Sequence, residues 1–224
     1  MEFFLFQIFP YIAGATLILG SILRFDRDPY TWRSKSSQLL RKKQLIVGSV
    51  LFHLGILVIL GGHAVGLLTP IWIFDALGIP HGAKQILAMA AGGIAGVFCL
   101  IGLLILLHRR LFDERIRINS SFTDILVLLL LLVQLCLGLF TITVSMNHLD
   151  GHEMMKFMNW AQHIVTFRGG AHEYIADVAL VFKMHISLGL LIVFIWPFTR
   201  LVHVFSAPLG FIIRPYQVVR KRAR

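Results

Sequence analysis

Charge is scarce in this chain of 224 residues. Asp, Glu, Lys and Arg together make up 14% of it, well below the roughly one quarter usual in soluble domains. With 57% hydrophobic residues and a positive mean hydropathy, this excludes an ordinary soluble globular protein. Acidic residues are rarer still, 11 against 21 basic. The resulting net charge of +10 could suit nucleic acid, but no basic stripe runs along a soluble element. The basic residues sit instead in short clusters between apolar blocks, which points to membrane lipid as the partner and to no nucleic acid. Cysteine is limited to Cys99 and Cys136, each in its own apolar block and without a C-x-x-C partner. Zinc and iron–sulfur sites are therefore not indicated, and both residues read as small buried apolar groups. The opening MEFFLFQIFPYIAG lacks a basic n-region and a small-residue cleavage site, so it reads as a retained first span. Internal repeats and low-complexity linkers are missing too, and residues 1–224 are expected to form a single integral membrane domain.

What is present is a series of long apolar blocks. Five are long enough to cross a hydrocarbon core of about 30 Å: about 3–23, 45–69, 83–107, 125–146 and 178–204. The expected fold is an all-α bundle of five transmembrane helices. The first loop carries Arg24, Arg27, Arg33, Lys35, Arg41, Lys42 and Lys43, and the third carries Arg109, Arg110, Arg115 and Arg117. The C-terminal end, with its basic tail 205–224, adds Arg200, Arg214, Arg220, Lys221, Arg222 and Arg224. The other side has only Lys84, Lys156, Arg168 and Lys183. Positive loops stay in the cytoplasm, so the N-terminus is expected outside and the C-terminus inside. Trp32, Trp72, Trp160 and Tyr216 fall near span ends, where aromatic anchors sit. The stretch from Met154 through Phe167 reads as a helix lying in the outer interface over the mouth of the bundle.

Ten histidines are present. His53 and His63 lie in the second span, His185 and His203 in the fifth. One buried imidazole is usually a helix–helix hydrogen bond; two in each of two spans, with few other polar groups nearby, point to a function. The helices run antiparallel, so His53 should face His203 at the cytoplasmic end and His63 should face His185 at the outer end. His185 and His203 are 18 residues apart, roughly 27 Å along a helix, whereas His53 and His63 span roughly 15 Å. Two straight helices cannot satisfy both pairs. Pro197 offers a kink, and a tilt of the fifth span offers further adjustment.

Two neutral imidazoles suit a haem iron, because the porphyrin supplies the other four ligands; zinc usually needs four from the protein. A doubly ligated iron has no open position, so the expected task is electron transfer. Gly55, Gly61, Gly62 and Gly66, with Gly92, Gly93 and Gly96 on the third span, would either admit a macrocycle or allow close helix packing. Arg200, three residues before His203, is the expected partner of a haem propionate. His81, His108, His148, His152, His163 and His172 lie at span ends or in loops. His148 and His152 could frame a metal site, but a solvated loop accounts for them.

Several motifs then converge. PYIAG at Pro10–Gly14, YTWRSKSSQLL at Tyr30–Leu40, LFHLGIL around His53 and GGHAVGLLTP around His63 occur in order. RRLF at Arg109–Phe112, HLDGHEMMK, VFKMHISLG around His185 and PFTRLVH around His203 follow. Over nearly its whole length the chain resembles the gamma subunit of respiratory nitrate reductase, a dihaem cytochrome b in the bacterial inner membrane. The resemblance implies two b haems held by His53–His203 and His63–His185. It also implies oxidation of a quinol, menaquinol or ubiquinol, beside the outer haem, with Lys84, Gly62 and His63 at the quinol site. Electrons would pass to a cytoplasmic iron–sulfur subunit and then to a molybdenum-containing catalytic subunit. A snorkelling anchor would otherwise account for Lys84. The alternatives are a dihaem cytochrome b of a sulfite- or heterodisulfide-reductase-type complex or, in a different class, a haem-free transporter or anchor.

Overall fold

The computed structural model describes residues 1–32 and 40–206. Arg33, Lys35 and the tail from 207 onward, with Arg214, Tyr216, Arg220, Lys221, Arg222 and Arg224, lie outside them. Among the described residues, eight α-helices follow one another: α1 Phe9–Arg27, α2 Lys42–Leu68, α3 Ile71–Ala76, α4 His81–Phe112, α5 Glu114–Ile118, α6 Phe122–Ser145, α7 His152–Val165 and α8 Leu180–Ile195. A π-helical turn, Phe4–Ile8, leads into α1. Five segments are long and apolar enough to span a membrane: Phe4–Arg27, Lys42–Leu68, His81–Phe112, Phe122–Ser145 and Leu180–Phe198. The five-span expectation holds. The boundaries move by a few residues, and the fifth span is the one that changes in kind.

Apolar side chains such as Leu54, Leu57, Val58, Leu87 and Ile94 point outward, as a lipid-facing surface requires. Inside the bundle, contact between spans rests on small residues. A Cβ added to Gly102 of α4 would lie 2.3 Å from the Phe52 backbone nitrogen. One added to Gly55 of α2 would lie 2.6 Å from the Ala95 carbonyl and 2.7 Å from Cys99. The backbones of α2 and α4 thus touch directly, the kind of packing that drives helix association where lipid is as apolar as leucine. Helix α4 packs in turn on α6, α6 on α8, and α8 on α1. Buried Phe6, Ile175, Val178, Val181 and Phe182 form a cluster at the end carrying the N-terminus, called here the amino end. Leu103, Leu107 and Leu128 form another between α4 and α6.

Helix α6 begins at a capping box. The Ser121 hydroxyl accepts from the Asp124 amide at 3.3 Å, and the Asp124 carboxylate accepts from the Ser121 amide at 3.1 Å. Both N-terminal donors are satisfied reciprocally, which fixes a buried carboxylate at the far end of the bundle.

The fifth span does not run to 204. Helix α8 ends at Ile195, a 3-10 turn covers Trp196–Phe198, Thr199 is extended (φ −120°, ψ 177°), and a second 3-10 segment runs Arg200–Ser206. Pro197 supplies no N–H and clashes with the preceding turn, so the ladder fails there. The freed carbonyls find a donor on α1: Arg24 Nη1 donates to the Pro197 oxygen at 2.6 Å and to the Thr199 oxygen at 2.8 Å. Gly20, one turn earlier on α1, makes room for the proline ring, which a Cβ there would approach to 3.0 Å. The break redirects the chain between His185 and His203, so the two rings no longer share one straight axis and the roughly 12 Å mismatch expected of straight helices does not arise.

Candidate functional site: two pairs of facing histidines

The structure brings the four intramembrane histidines together as two cross-helix pairs. The ring centres of His53 and His203 are 6.3 Å apart at an interplanar angle of 69°, and those of His63 and His185 are 6.2 Å apart at 40°. These separations carry chemical information. A metal–imidazole bond is about 2.0–2.1 Å, and bonds of about 1.35 Å place a ring nitrogen about 1.15 Å from the centre of a five-membered ring. Two imidazoles on opposite sides of one iron would therefore have centres about 6.3–6.5 Å apart. Both pairs sit at the lower edge of that range.

Tautomer and aim agree with this. His53 Nδ1 bonds to the Ser49 carbonyl at 2.7 Å, His63 Nδ1 to the Ile59 carbonyl at 2.8 Å, and His203 Nδ1 to the Arg200 carbonyl at 2.6 Å. A ring that donates from Nδ1 keeps the Nε2 lone pair for a metal, and the bond makes it a stronger ligand. His185 differs, because its Nδ1 is buried without a hydrogen bond.

The glycines separate into two groups. Gly55 and Gly96 serve packing, against α4 and against Leu139 respectively, and a Cβ on Gly93 would lie 3.7 Å from Ile142. Gly61, Gly62, Gly66 and Gly92 face open space, with nothing within 4 Å of an added Cβ. The facing rings and these bare backbone positions fit haem. Neither cysteine lies in a C-x-x-C-H pattern, so attachment would be non-covalent, as in b-type cytochromes.

At the end away from the N-terminus, Asp124 is flanked by two guanidinium groups, Arg110 Nη1 at 3.7 Å and Arg200 Nη1 at 3.5 Å. Two cations against one carboxylate leave this largely buried cluster net positive. Arg200 thus serves His203 twice, through its backbone carbonyl and by placing positive charge beside the ring. Asp124 was not singled out from the sequence, although the S-x-x-D pattern at Ser121 is a signal that marks it; the ends of Arg24 and Arg110 carried no such signal, because their partners are remote in sequence.

At the amino end, Lys84 is 8% exposed. Its Nζ lies 2.6 Å from the Met158 sulfur and 3.8 Å from the centre of the Phe74 ring. A thioether and a π face are soft partners for an ammonium, so Lys84 is not a snorkelling surface anchor. Helix α7 lies over this end, as expected of the Met154–Phe167 stretch. Its Gln162 Nε2 donates to the Thr69 carbonyl at 3.0 Å, closing α2 just beyond His63, and Trp160 Nε1 donates to the Phe6 carbonyl at 2.8 Å.

Five membrane-crossing helices with two facing pairs of imidazoles at iron-bridging distance define a membrane cytochrome of the b class. The chain belongs to the nitrate reductase gamma subunit family, whose family model matches residues 2–222. It is 49% identical over 222 residues to the respiratory nitrate reductase 1 gamma chain of Escherichia coli (strain K12), covering 99% of this chain and 98% of that one. The respiratory nitrate reductase 2 gamma chain of the same organism is 50% identical over 222 residues, with the same coverage. The nitrate reductase gamma chain of Bacillus subtilis (strain 168) is 43% identical over 219 residues, covering 98% of each.

Proposed function

We propose that this chain oxidises quinol at the outer end of the bundle and delivers the electrons, through two b haems, to cytoplasmic iron–sulfur and molybdenum subunits of a respiratory nitrate reductase. The observation that carries the reading is the pair of ring separations, 6.3 and 6.2 Å. His63 and His185 would hold the outer haem, and His53 and His203 the inner one. When bound, each haem would supply a one-electron couple for electron transfer.

The protein's own groups do the rest. The Ser49, Ile59 and Arg200 carbonyls engage Nδ1 of three of the rings and leave Nε2 free, which would hold a haem iron. Arg200 and Arg110 supply positive charge for the propionates of the inner haem. Lys84 presents its ammonium from a buried position beside soft partners, which a quinone oxygen would displace to gain a charge-assisted hydrogen bond. Gly62, with no Cβ, leaves the approach to His63 clear. Oxidation of one quinol yields one quinone, two electrons and two protons. Protons released at the outer end stay outside, while the electrons move inward. Each electron works against the membrane potential at about 2.3 kcal/mol per 100 mV, so turnover charges the membrane. The basic first loop and C-terminal end support an amino end outside a bacterial inner membrane and a docking face in the cytoplasm.

The test is the haem-to-protein ratio of the purified complex with its dithionite-reduced spectrum. Two b-type haems are expected, one lost in His63→Ala or His185→Ala and the other in His53→Ala or His203→Ala. A colourless preparation from cells supplied with ample haem would overturn the reading.

A further inference from the structure

The fourth span carries a single amide, Gln134, in the apolar stretch from Ile125 to Phe140. A polar side chain at that depth needs a partner, and half of it has one: Gln134 Nε2 donates to the His185 carbonyl at 3.0 Å. The other half does not. Gln134 Oε1 is buried without a hydrogen bond, and so is His185 Nδ1. An orphaned acceptor and an orphaned donor thus belong to two residues already in contact. His185 is also the one ligand ring of the four whose Nδ1 finds no carbonyl on its own element.

The surroundings are cut to fit these two groups. A Cβ on Gly138, one turn beyond Gln134, would lie 3.0 Å from His185 Cε1 and 3.6 Å from Nδ1. A Cβ on Gly189, one turn beyond His185, would lie 3.1 Å from Gln134 Nε2. Each helix omits a side chain where the other projects one. The terminal torsions of histidine and glutamine are broad, so both side chains can turn in place, and burial makes it costly for the two groups to stay unpaired.

We propose that Gln134 is the positioning residue of the outer haem ligand, its Oε1 accepting from His185 Nδ1 while its Nε2 holds the His185 carbonyl. The fourth span then supplies across the bundle what the other three ligands obtain from their own elements. An acceptor on Nδ1–H increases the electron density of the ring and favours the oxidised iron, so Gln134 lowers the outer haem potential. This rests on the reading that His185 ligates the outer haem.

The experiment compares wild type, Gln134→Leu and Gln134→Glu in the intact complex, by optical redox titration and by the low-spin ferric resonances of the two haems. Gln134→Leu should raise the outer potential by about tenfold in the reduction equilibrium, 59 mV for a one-electron couple, and shift the outer resonance. The inner haem should not move. Gln134→Glu retains an acceptor and should return the outer potential to the wild-type value or below. Two haems with unchanged outer potential and resonance in Gln134→Leu would overturn the proposal, as would equal shifts in the two variants. Should Gln134→Leu lose the outer haem, Gln134→Glu decides. Retention at or below the wild-type potential supports the role, and loss or a raised potential ends it. A wild-type complex without two haems would instead fail the dihaem reading, before any variant is compared.

Discussion

Replacing Arg24 by alanine strips the donor from the break in the fifth span. One nitrogen, Nη1, holds both the Pro197 carbonyl at 2.6 Å and the Thr199 carbonyl at 2.8 Å. Hydrogen bonds to charged groups contribute about 1.5–3 kcal/mol each. The site is partly buried, so the lower end applies and the pair is worth about 3 kcal/mol. That is on the order of a hundredfold in the balance between a docked and an undocked 3-10 segment. The segment, Arg200–Ser206, carries His203 and not His185, so the loss should fall on one haem. Difference spectra with a haem-to-protein ratio should show Arg24→Ala depleted in the inner haem, with the outer haem retained. Arg24→Lys keeps the charge and should recover part of the loss. An Arg24→Ala protein with two haems and an unaltered inner potential would refute the reasoning.

Two further outcomes are expected. Lys84→Ala should weaken binding of a quinone analogue by tenfold or more while both haems remain, because a charge-assisted bond to the ligand is removed; unchanged affinity by fluorescence or calorimetric titration would dissociate Lys84 from the quinol site. Asp113, which joins α4 to α5, loses hydration, but the Ile116 amide and the Arg41 guanidinium outweigh that loss and hold its carboxyl below the usual carboxylate range. A depressed folded pKa stabilises fully above the ordinary value of about 3.9, and the stabilisation is lost as pH falls below it. Thermal melts of wild type and Asp113→Asn in detergent should therefore differ by a constant amount above about pH 5 and converge in acid; a difference independent of pH would contradict this.

The helices were legible because lipid imposes one rule, that every backbone polar group be satisfied within its segment, and long apolar runs advertise it. The antiparallel run of the second and fifth spans also forecast which rings would face each other. The form of the fifth span was less visible. Pro197 announced a distortion, but whether the chain would bend or break depended on a donor 173 residues away. Arg24 read only as one more positive residue in the first loop. Asp124 stood in plain view as a cap, yet the guanidinium groups that surround it come from α4 and from the segment beyond α8. Gln134 was a single polar letter in an apolar run. Its partner is on another helix, and nothing in the local pattern named it.

The two rings of the His53–His203 pair rest on supports of different persistence. One belongs to a 27-residue helix with a continuous ladder of backbone bonds. The other belongs to a seven-residue turn fastened by side chains, among them Trp32, whose indole donates to the Ser206 hydroxyl at 2.6 Å. On the proposed dihaem reading, the turn is expected to let go first under detergent or heat, and the order in which a preparation loses colour would record which fastening has failed.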